Sequence, residues 1–442
     1  MKGRFVANPT SDDISTPPAA AAQTTQLRRT LTLPQAVALA VTIVVGSGAL
    51  ILPGIAYQSV GSGALWAWLL AAAAVIPLLA IFARLGATYP TAGGVAGFVQ
   101  AAFGRPVAGG VEILFMGTFG LGIPAIALTG GHYLAGLGLY PHTHAWVGAL
   151  AMLALATGLN LGGVQLSARV QTVLAITLAA GLLLVGIGGL IPSGATVRMP
   201  ELSLSAVMVG LSAVGLVFFA FTGWEMLAFT TEEYRNPKRD FPLAVGISFV
   251  LVTGIYVVLA LAVQSRLGSA DSRLATAPVQ AVVDDAFSVN WGRMVAFLGA
   301  AIIMANLIGA IWGASRLVMS SAREGLLPAQ VAGISARTGA PTTAVVGCAA
   351  AFTLVVITSS LGWLPLDRLL SLAGQNFFLL YLLSVAAYVK LFRQLRQRLF
   401  GLVVCVALSG VALFFGVWSL LYALVLFSVG MALVMRRSNT AT

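Results

Sequence analysis

The chain has 442 residues, 59% of them hydrophobic and only 8% charged, against roughly 25% charged in a soluble domain. So few charges exclude a water-facing surface and leave a lipid-facing one, where side chains are apolar and backbone polar groups are satisfied internally. The formal net charge of +11 does not indicate a nucleic-acid partner, because the basic residues stand between apolar runs instead of clustering on one face.

Residues 1–30 are rich in Pro, Ala, Ser and Thr and lack an apolar run. They therefore read as a disordered cytoplasmic tail and not as a secretory signal. Residues 31–437 read as a single membrane domain, with 438–442 as a short second tail. A span needs about 20 apolar residues. About twelve transmembrane helices are expected, the first five near Leu33–Ser59, Ala64–Leu85, Val107–Leu137, Ala145–Leu161 and Ala168–Ile191. The next five fall near Ser203–Glu233, Phe241–Ser265, Gly292–Ala322, Thr343–Leu361 and Leu366–Leu391, and the last two near Leu399–Val417 and Trp418–Met435. With the N-terminus inside, only Arg198, Arg266, Arg273, Arg293 and Arg368 of the 24 basic residues lie outside. The positive-inside rule then puts both ends in the cytoplasm.

Two spans carry an interruption near their middle. In span one it is Gly46-Ser47-Gly48, followed by Pro53-Gly54. In span six it is Phe221-Thr222-Gly223-Trp224-Glu225. Each helical glycine costs about 1 kcal/mol relative to alanine, and broken backbone at membrane depth survives only where it is buried in protein or lines a cavity. The interruptions are five spans apart. Each therefore opens a block of five helices, about 33–191 and 203–391, as in an inverted repeat whose discontinuous helices form the substrate site.

Glu225 stands out because an ionisable group at mid-bilayer costs at least about 2.5 kcal/mol and normally faces the protein interior. It reads either as a coupling residue that exchanges a proton or as a structural anchor for the broken helices. Glu112, near the start of span three, reads as a solvated or vestibule residue. His132, His142 and His144 read as surface histidines beside an external loop, with no cysteine or carboxylate cluster to make a metal site. Cys348 and Cys405 lie in separate spans and read as packing residues. No Walker-type phosphate loop is present, so ATP-driven pumping has no support, and no cofactor is expected.

Four stretches resemble the amino acid–polyamine–organocation (APC) superfamily of transporters. They are Gly46-Ser47-Gly48; Tyr89 to Gly94 running on to Ala102-Phe103-Gly104; Phe221 to Glu225 followed by Glu233 to Pro242; and Ser315-Arg316-Leu317 leading to Arg323 to Pro328. Tyr89 to Phe103, Gly122 to Ala125, Ser167 to Val173 and Asn236 to Pro242 are most similar to the bacterial exporters of methionine and branched-chain amino acids. The resemblance covers about Leu33 to Arg437. It implies an all-α, LeuT-like fold of five plus five helices, with discontinuous helices 1 and 6 and two extra C-terminal helices.

It also implies a site. Substrate carboxylate and amine are expected at Val45, Gly46, Ser47, Gly48 and Ala49, with Val44, Phe219, Thr222 and Gly223 completing the pocket and Phe219 as an aromatic gate. The family glutamate falls on Glu225. Some proton-coupled relatives have a lysine in span five, where this chain has Leu178. Since Val44, Phe219 and Thr222 carry no charge, a charged substrate side chain would be buried unpaired. The function expected is a secondary active transporter of neutral amino acids, methionine and branched-chain, in the cell inner membrane. Export by alternating access is expected, with a proton or another ion as possible coupling partner. Alternatives are import or exchange of other amino acids or polyamines, and, from a different class, a channel or membrane-embedded enzyme.

Overall fold

The computed structural model describes residues 32–89, 94–162, 168–191, 202–224, 237–335 and 337–440. Among them every regular element is helical. Helix α1 (Leu33–Val44) starts at a capping box, in which Thr32 and Gln35 exchange side-chain and backbone bonds that satisfy donors a helix start leaves open. It stops at Val45 and Gly46, and α2 (Ser47–Val60) resumes the span. Then come α3 (Ala64–Thr88), α4 (Gly94–Phe103), α5 (Arg105–Ala135), α6 (Ala145–Leu161) and α7 (Ala168–Leu190).

Span six is built from short pieces. They are α8 (Leu204–Ser212), α9 (Val214–Val217) and a 3-10 turn over Phe218–Phe221. The rest comprises α10 (Pro237–Arg266), α11 (Pro278–Ala286), α12 (Val289–Arg323), α13 (Thr342–Ser360), α14 (Leu366–Leu391), α15 (Leu395–Ala412) and α16 (Val417–Thr440).

Among the described residues nine helical stretches are long and apolar enough to cross a membrane, ten when the bent pair of span six is taken as one. Ser47–Gly86 is one of them although a turn at Gly61–Gly63 divides it, and Leu33–Val44 and Ile176–Leu190 are shorter apolar helices. Outward faces carry Leu184, Val250 and Val406, each about 70% exposed. Water would not tolerate such faces over a whole molecule; lipid does. Helix α5 runs through the centre, packed by α6, α12, α14 and α16.

Two helices were not expected. The first, α4, spans ten residues, too short to cross, and packs between α5 and α14. The second, α11, follows a 3-10 turn at Ser272–Ala275, and together they close over α2: a Cβ on Gly54 would meet the Leu274 carbonyl and Pro278. Glu112 also departs from its reading as a solvated residue. It is 5% exposed, paired with Arg105, and accepts a 2.7 Å hydrogen bond from the Ser321 hydroxyl on α12. Arg105 reaches Glu324 as well, at 3.0 Å. Partnering on this scale is what allows a buried carboxylate to persist.

Candidate functional site: two interrupted helices held side by side

The interruption in span one is two residues long. Val45 turns away from helical geometry at φ −83°, ψ 94°, and Gly46 follows at φ −129°, ψ −138°, neither helical nor extended. Val45 still donates to the Val41 carbonyl at 2.8 Å, closing α1. Ser47, Gly48 and Ala49 form the first turn of α2, and Ala49 donates to the Gly46 carbonyl at 3.2 Å. Helix is lost one residue earlier than the expected Gly46–Gly48, because Ser47 and Gly48 already begin α2. The first amides of a helix have no acceptor within it and carry its positive dipole end.

Span six is interrupted in a longer stretch than Thr222–Trp224. Its axis bends by 49° at Ala213. The bend lies between two close approaches: Gly210 sits against Trp66 and the Gly63 carbonyl, and Gly215 against Gln375. After the 3-10 turn, Thr222 is extended at φ −90°, ψ 165°, and its hydroxyl returns a 2.8 Å bond to the Phe219 carbonyl. Gly223 has φ +108°, a conformation that suits glycine, and faces Ile43 of α1. Glu225 lies outside the described residues.

These two stretches touch backbone to backbone. A Cβ on Gly48 would lie 2.8 Å from Ala220 Cα. One side chain bridges both. The Tyr256 hydroxyl, on α10, lies 3.0 Å from the Val44 carbonyl and 2.8 Å from the Ala220 carbonyl, so its single proton is shared between the last turns before each interruption. Trp68 and Phe221 pack on the same ring, with centroids 5.1 Å and 5.2 Å away. From α5, Tyr133 donates to the Leu50 carbonyl of α2 at 2.9 Å.

The structure therefore brings together Val44 to Ala49 with Phe219, Thr222 and Gly223. Val44, Val45, Ser47, Ala49 and Phe219 are buried, while Thr222 and Gly223 are half-buried. Phe219 packs near Gly122 of α5 and Phe377 of α14. Tyr256 and Tyr133 were missed by sequence reasoning, since nothing in their own segments says which backbone they reach. His132 and His142 stack with centroids 5.7 Å apart, and His132 is half-buried, not a surface residue.

A family model described as amino acid permease matches residues 31–440. The chain is 30% identical to the uncharacterized amino acid permease YecA of Bacillus subtilis, over 92% of this chain and 95% of that protein. It is 31% identical to the L-methionine/branched-chain amino acid exporter YjeH of Escherichia coli, over 94% of this chain and 98% of that protein. In three dimensions it is similar to MhsT, solved in complex with L-phenylalanine. The TM-score is 0.63, at 16% identity, over 88% of this chain and 100% of that one.

Proposed function

This chain belongs to the amino acid permease family of membrane transporters, and we propose that it moves neutral amino acids, methionine and the branched-chain ones among them, out of the cell by alternating access. The observation that carries the proposal is the direct apposition of the two helix interruptions, Gly48 on Ala220, under the Tyr256 hydroxyl. Amides at the start of α2 suit a substrate carboxylate, and carbonyls near the end of α1 and in span six suit an ammonium. Around them Val44, Phe219 and Thr222 offer no charge, so an apolar side chain fits and a charged one would be desolvated without a partner. Each further buried methylene adds about 0.8 kcal/mol, which favours leucine, isoleucine, valine and methionine over alanine.

YjeH is named for such substrates and for their export, and MhsT was solved with L-phenylalanine, another neutral amino acid. The five-plus-five inverted repeat and the placement of both termini in the cytoplasm, in a cell inner membrane, belong to the same proposal. The lysine and arginine distribution supports the orientation. Cells overproducing the protein should hold less internal methionine and leucine and survive their toxic analogues better than control cells. A cysteine at Thr440 should resist impermeant thiol reagents in those same cells. Raised internal methionine together with ready labelling would overturn both direction and orientation.

A further inference from the structure

Asn306 lies on α12, and its carboxamide rests on the interruption in span one. A Cβ on Gly46 would meet Asn306 Cγ and Nδ2 at 2.9 Å and Oδ1 at 3.0 Å. The flanking Val45 and Ser47 are buried to 2% exposure or less, yet Asn306 is only half-buried, as are Ile43, Thr222 and Gly223 close by. These residues keep part of their surface open beside the interruption. The Asn306 carboxamide makes no hydrogen bond with another described residue. An amide has two donors and an acceptor, and a polar side chain at membrane depth without a partner is costly unless something meets it.

We propose that Asn306 is a substrate-contacting residue, whose amide N–H donates to the carboxylate of the bound amino acid and so selects molecules that carry one. The assignment rests on the transport reading above. It follows from position: Gly46 caps the N-terminus of α2, the end that attracts an anion. The amide laid on Gly46 adds a side-chain donor there. Being neutral, it does so without a cation that would bind acidic substrate side chains in their own right. Hydrogen bonds to a charged group are stronger than neutral ones, so its loss should be felt more by ligands with a carboxylate than by those with a neutral acceptor in its place.

The test compares leucine with leucinamide, whose carboxylate is replaced by a neutral amide, in binding to the purified full-length protein. Asn306→Leu should weaken leucine binding about 10- to 100-fold, the range for a hydrogen bond to a charged group, and leucinamide binding by a clearly smaller factor, about 2- to 10-fold, the range for a neutral one. Asn306→Asp should weaken leucine further, because a second carboxylate repels the first, while still binding leucinamide. A change of fold would weaken both ligands alike, and that result would overturn the inference. So would leucine bound equally by the wild type and Asn306→Leu. A wild-type protein that binds no neutral amino acid would instead overturn the transport reading, and this inference with it.

Discussion

Gly48→Val should reduce transport by about 100-fold, the largest effect expected of any single substitution at the interruptions. The atom opposing a new Cβ is the Ala220 Cα at 2.8 Å, with the Ala220 Cβ at 3.0 Å. Backbone cannot swing aside as the end of a flexible side chain can. Overpacking of this kind costs about 1–3 kcal/mol, and valine adds two methyl groups that are stiff about χ1. At about 1.4 kcal/mol per factor of ten, the upper end of that range gives the expected loss. The two interrupted stretches would have to separate, and with them the amides and carbonyls that hold the amino-acid backbone. Gly48→Ala should be intermediate. Initial rates per amount of folded protein provide the check, and wild-type transport by Gly48→Val would show that the close approach is not required.

Tyr256→Phe should slow transport about 10- to 100-fold and lower the melting temperature of the purified protein. The substitution removes a single oxygen and leaves the contacts with Trp68 and Phe221 available. What it takes away is the donor shared by Val44 and Ala220, whose carbonyls are left without it in a buried site. Each such loss costs about 1–3 kcal/mol. Because those carbonyls belong to two different interrupted helices, the cost falls on how the helices are held relative to one another. Rates and thermal melting both unchanged in Tyr256→Phe would contradict the bridging role.

The parts of this architecture that the sequence made legible are those written in local chemistry. Apolar runs gave the spans to within a few residues, as with Ala145–Leu161 and Leu366–Leu391, which match the helices. Gly46 and Gly48 announced the first interruption because glycine is both a poor helix former and a residue of close approach. In span six Gly223 did the same. The bend at Ala213 is flanked by glycines too, but nothing in span six says that they meet close neighbours. It arises where Gly210 and Gly215 let α3 and Gln375 come close, and neither neighbour can be read from span six alone.

Asn306 was legible in principle. A carboxamide in an apolar run is an expense on insertion into lipid, though a weaker signal than an ionisable group such as Glu225. Asn376 is a second case, completely buried with both polar atoms unpartnered by described residues. Tyr256 could not have been found this way, since tyrosine is ordinary in a membrane helix and its role depends on two carbonyls 212 and 36 residues away. Glu112 was misread because its partners Arg105 and Ser321 are brought to it by the packing of α5 on α12.

Counterflow in proteoliposomes shows whether the apposed interruptions bind and move neutral amino acids. Vesicles loaded with unlabelled methionine should take up labelled methionine or leucine. Isoleucine and valine should compete, alanine less well, and arginine and putrescine not at all. Protein that exchanged arginine or putrescine and ignored leucine and methionine would not be a neutral amino acid transporter.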